Sequence, residues 1–139
     1  MSLCTPAEYL QNLRFNLRED SHPRASAASE PASSPATCIL DIRCKTSGFH
    51  IRIHQRQSIT VGEVLWHLQR YFHTSIDEQS REWVQLPADR QKRVQAARAL
   101  RSPTDKLRRI DFLCGHTTMT GVQACRSSSQ VPTWTLYTQ

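Results

Sequence analysis

The chain has 139 residues, enough for one domain with a single modest core. Hydrophobic residues make up 38% and charged residues 22%, a lean but globular balance, and the formal net charge is +6. No apolar run approaches the roughly 20 residues that span a bilayer, and the start "MSLCTPAEYLQNLRF" lacks a basic region followed by an apolar one, so neither a membrane span nor a secretory leader is expected.

Near the start, "LRFNLR" (13–18) alternates Leu13, Phe15 and Leu17, which predicts a short half-buried strand returning to the main sheet. The Ser-, Ala- and Pro-rich stretch at 20–37 is expected to be a flexible loop within a single domain spanning 1–139, because it offers little apolar surface. In "CILDIRCKTSGFHIRIH" (38–54), Cys38, Leu40, Ile42 and Cys44 share one face, as do Phe49, Ile51 and Ile53. A hairpin turning through "KTSG" then pairs Cys44 with Phe49, Ile42 with Ile51 and Leu40 with Ile53. On the outer face it sets Asp41 against Arg52, whereas a tighter turn would oppose Arg43 and Arg52. On such strands Cys38 and Cys44 stand roughly 20 Å apart and cannot bond. His50 and His54 stand roughly 14 Å apart, too far for one zinc ion.

"SITVGEVLWHLQRYFHT" (58–74) is the clearest helix. Thr60 and Glu63 form a capping box, and Val61, Val64, Leu65, Leu68 and Phe72 make a stripe at helical spacing. Trp66 falls on the far side of that stripe, near Arg70. It is either an exposed binding anchor or covered by the N-terminal strand or the long loop. A second short helix is expected over 75–87, capped by Ser75 with Glu78, with Trp83 and Leu86 reaching the core. A third is expected over 87–101, opened by Pro87, with a thin stripe of Val94, Ala97 and Leu100. Strands are expected at 108–114, 117–122 and 133–138, the last with Trp134 and Leu136 on one face. The fold class is therefore α+β: an antiparallel sheet with three helices inserted between an N-terminal hairpin and C-terminal strands.

The charge is concentrated. Between 90 and 109 lie Arg90, Lys92, Arg93, Arg98, Arg101, Lys106, Arg108 and Arg109 against Asp105 alone. Such a segment suits a polyanion, although basic helix faces are commonly just solvated. Within "RRIDFLCGHTTMTG" (108–121), Asp111 sits between apolar residues and is expected to be partly buried in an ion pair, with Arg109 or a neighbouring strand as partner. Cys114 reads as a core thiol, because no third group orients His116 as a base for it. Five cysteines at irregular spacings fit reduced thiols in an intracellular protein, with cytoplasm and nucleus not distinguished. No Gly-rich phosphate loop, G-x-S-x-G, H-E-x-x-H or C-x-x-C occurs, so no cofactor, metal or catalytic residue is assigned.

The segments "LRFNLR", "FHIRI", "ITVGEVLWHLQRYF", "RRIDFLCG", "MTGV" and "WTL" recur in this order in a family that the chain resembles: a basidiomycete fungal family known as domain of unknown function 6699. "TVGEVL" and "RIDFL" are the most specific of them. The resemblance implies no activity, and it marks two departures: Arg98 where the family tends to carry a bulky apolar residue, and Trp66 where it is polar or small. The expected function is a small non-catalytic protein-interaction module working through Trp66 and Arg70, with an unidentified protein partner. The alternative is polyanion or nucleic-acid binding through Arg90, Lys92, Arg93, Arg98 and Arg101.

Overall fold

The computed structural model describes residues 4–18, 25–126 and 130–139. In chain order they form β1 (Thr5–Pro6), α1 (Glu8–Asn12), β2 (Phe15–Asn16), α2 (Ala25–Ala28), β3 (Ser33–Ser34), β4 (Ile39–Cys44) and β5 (His50–His54). Then follow α3 (Val61–His73), α4 (Arg81–Val84), α5 (Ala88–Arg101), a 3-10 helix (Arg109–Leu113), β6 (Thr118–Cys125) and β7 (Thr133–Thr138). The class is α+β, as expected. Three α-helices are inserted between the β4–β5 hairpin and the C-terminal strands.

The main sheet has the order β2-β6-β7-β4-β5. Its hairpin has the expected register, with Leu40 opposite Ile53, Asp41 opposite Arg52 and Ile42 opposite Ile51. The four-residue turn closes with the Cys44 amide donating to the Phe49 carbonyl at 2.8 Å. One pairing departs from an antiparallel sheet: β4 and β7 run parallel, with Ile42 beside Trp134 and Cys44 beside Leu136. β2 is shorter than predicted but does return to the sheet, with Phe15 opposite Met119.

The capping box of α3 forms as expected. The Thr60 amide donates to Glu63 Oε1 at 3.0 Å, and the Glu63 amide donates to Thr60 Oγ1 at 3.2 Å. Val61, Val64, Leu65, Leu68 and Phe72 are all buried against Leu40, Ile42, Ile53, Trp134 and Leu136 of the sheet in one cluster. A second cluster holds Ile76, Trp83, Val94, Leu107 and Phe112. Phe49 packs against both, its ring 5.0 Å from that of Phe112 and 5.8 Å from that of Tyr71.

Three expectations need correction. The strand at 108–114 is instead the 3-10 helix. Ile110, Asp111, Phe112 and Leu113 are all buried, so neighbours on both sides take consecutive residues and alternation has no role. The helix at 75–87 shrinks to α4, because Ser75 forms an isolated β-bridge with Arg108 and does not cap a helix. Leu100 is no part of the core, being 88% exposed, while Val94 is fully buried. Of the 20–37 stretch, residues 20–24 lie outside the described residues, and the described part makes specific contacts. β3 pairs with β1, the Ala32 amide donates to the Ile59 carbonyl, and Pro31 bridges Thr60. Small side chains make this close approach possible: a Cβ on Gly62 would lie 3.0 Å from the Ala28 carbonyl oxygen.

Candidate functional site

Because the α3 stripe faces the sheet, Trp66 faces out, and it is 53% exposed. One helical turn on, the Arg70 guanidinium lies 5.1 Å from the centre of its ring. The His67 ring meets it edge-on at 4.9 Å. Burial, reinforced by Arg70 and opposed by Glu63, keeps the His67 imidazole below its ordinary pKa. A stacked guanidinium at an exposed site contributes only about 0.5–1 kcal/mol, but it fixes a large amphipathic surface in one orientation. The covered alternative for Trp66 is therefore not the one realised.

The basic segment is distributed less favourably for a polyanion than its sequence suggests. Arg101 lies only 13% exposed and is bound to both oxygens of Asp111, at 2.8 and 2.9 Å, and to Asp105 at 2.8 Å. Arg108 also pairs with Asp105, and Arg109 pairs with Glu82 while stacking on Tyr71. Arg90 donates to the carbonyls of Thr46 and Phe112, and Arg98 to those of Ser102 and Asp105. The exposed bases outside these contacts are Lys92, Arg93 and Lys106, with Arg93 next to Asp89 at 3.3 Å. Thus five of the basic side chains are engaged in tying α5, the 3-10 helix and the chain between them to one another and to their neighbours. Arg98 satisfies carbonyls where the chain leaves α5.

Asp111 is the buried acid the sequence marked, at 3% exposure. Its partner is Arg101 across the helix pair, and its Oδ2 also accepts the Arg108 amide at 2.9 Å. The Asp111 bonds, followed by those of Asp105, hold the Arg101 guanidinium well above its ordinary pKa. His73 completes the neighbourhood: its Nε2 donates to the Leu17 carbonyl at 2.8 Å, leaving Nδ1 to accept from Arg108 at 3.4 Å.

Cys114 is half-buried, with its thiol near the Phe112 carbonyl, and among the described residues no hydrogen bond joins it to the exposed His116. It is no fully buried core thiol either. It stands in the left-handed region at φ 52°, ψ 44°, where it ends the 3-10 helix ahead of Gly115.

Sequence reasoning missed a cleft of about 290 Å³ between α5 and the 3-10 helix. Ala96, Ala97, Leu100, Ile110 and Cys114 supply its apolar walls, and Arg18 and Arg93 stand among its lining residues. No local sequence signal marked it, because its walls come from segments that only tertiary packing brings together.

Together these features define a small α+β domain whose mixed sheet carries a helix with an outward-facing, arginine-stacked tryptophan. The chain belongs to the family of unknown function DUF6699, whose model matches residues 8–131. No curated protein and no solved structure matches it.

Proposed function

We propose that this domain is a non-catalytic protein-interaction module whose working surface includes Trp66 and Arg70. The observation that carries the reading is the exposure of a Trp held by a cation on the outer side of the best-anchored helix. Trp and Arg are the residue types most enriched where binding energy concentrates. Helix α3 is fixed by a full capping box and five buried side chains, so the surface is presented with little ordering cost. An intracellular setting fits the five free cysteines.

The test is quantitative affinity enrichment with the wild-type chain, Trp66→Ala and, as a surface control, Lys92→Ala. Under this reading a set of proteins is retained by wild type and Lys92→Ala and falls at least tenfold with Trp66→Ala. Equal retention by all three refutes it. The alternative is polyanion binding through the basic segment, and its support is the exposure of Lys92 and Arg93. With Lys106, also exposed, three such cations give a salt slope near −3, roughly 0.9 per phosphate neutralised. Submicromolar RNA or DNA binding that survives physiological salt would make this the better reading.

A further inference from the structure

We propose that the cleft between α5 and the 3-10 helix binds a small monocarboxylic acid with an apolar body. This inference is independent of the surface around Trp66. The volume of about 290 Å³ is at the low end for ligand pockets. At roughly 30 Å³ per water-sized group it holds about ten such groups, the size of an eight-carbon acid. Ala96, Ala97, Leu100, Ile110 and Cys114 offer that body apolar contact.

The charge at the cleft selects a monoanion. Asp111 lines it, yet both its oxygens are taken by Arg101 and the Arg108 amide, so it presents no unmatched negative charge. Arg93 shares its charge with the exposed Asp89, and Arg18 stands beside it among the lining residues. The guanidinium forks of the two arginines match the planar carboxylate. Thr117 also stands among the lining residues, a hydroxyl-bearing side chain in an otherwise apolar wall. A cationic ligand would meet the two arginines, and a neutral one would leave them unused.

Cys114 lies in the cleft wall and so reports on occupancy. The experiment uses the full chain and octanoate as probe. Alkylation of Cys114 and of exposed Cys38 is followed by peptide mass spectrometry, and the backbone amides of Gly115 and Thr117 by NMR. Saturating octanoate is expected to slow Cys114 alkylation at least fivefold, leave Cys38 unchanged and shift both amides. Octanol is expected to act at least tenfold more weakly. Ala97→Phe, which fills the cleft, should abolish the effect. Arg18→Gln and Arg93→Gln, both at exposed positions that do not endanger folding, should each raise the half-saturating concentration severalfold. Three results would overturn the proposal: no shift at millimolar octanoate, equal action of octanol, or insensitivity to both arginine variants. Tighter binding of a tetrapeptide ending in a free leucine carboxylate would overturn the assignment to a free acid.

Discussion

Replacing Asp111 by asparagine tests the account of the basic segment as a structural clamp. The carboxylate accepts two bonds from Arg101, at 2.8 and 2.9 Å, and one from the Arg108 amide. Asparagine has one oxygen to offer and turns an amide N–H toward donors. Two bonds involving charged groups are lost, at about 1.5–3 kcal/mol each. Asp105 still holds Arg101, and removal of a buried carboxylate returns part of its desolvation cost. The net destabilisation works out at about 3 kcal/mol, or roughly a 10 °C fall in Tm for a domain of this size. Urea denaturation gives the free energy if the slope m is unchanged. A double-mutant cycle with Arg101→Met then isolates the pair, with an expected coupling of at least about 1.5 kcal/mol. A loss below about 0.5 kcal/mol, or no coupling, refutes the clamp and returns Arg101 to the pool of free cations.

Three further outcomes are expected. Iodide should quench Trp66 fluorescence far more than that of the buried Trp83 and Trp134, and Trp66→Phe should remove most of the quenchable signal. Asp41 is held below the ordinary carboxylate pKa, chiefly by its bond to Arg52, so its contribution is complete above about pH 4 and lost as pH falls through the lowered value. Urea titrations from pH 5 to pH 2 should therefore show a shallower acid loss for Asp41→Asn than for wild type. Gly121→Ala should cost about 3 kcal/mol by thermal denaturation, because φ is 141° and a Cβ would lie 2.5 Å from the Gln11 carbonyl oxygen.

What was legible in the sequence was local and redundant. Helix α3 is specified by its cap and its stripe together, and the hairpin register by apolar pairing and by charge at once. The 3-10 helix was misread because Ile110 and Phe112 alternate with less apolar neighbours, while the burial of Asp111 and Leu113 beside them comes from tertiary packing that periodicity does not register. The partner of Asp111 was missed because Arg101 is brought to it by tertiary packing of α5. Trp66 could be placed opposite the buried stripe, but not shown to be uncovered, since that depends on where the N-terminal segments run. The cleft was invisible for the same reason: its walls come from α5, the 3-10 helix and the chain around Arg18.

The place of β7 in the sheet has a kinetic corollary. It lies between β6 and β4 and, among the described residues, is the strand that joins the β2–β6 ribbon to the β4–β5 ribbon. It is also the last strand in chain order. During synthesis both ribbons emerge before the strand that stitches them, each with an open edge. The hairpin can form early from local contacts, whereas sheet closure must wait for a parallel pairing with a segment from far along the chain. Until then Leu40, Ile42, Val122 and the underside of α3 lack the Trp134 and Leu136 side chains that cover them in the finished domain. Misassembly of this fold should therefore begin at the unfilled slot between the two ribbons, and a stray extended strand with the alternation of "TWTLYT" is the one that fits it.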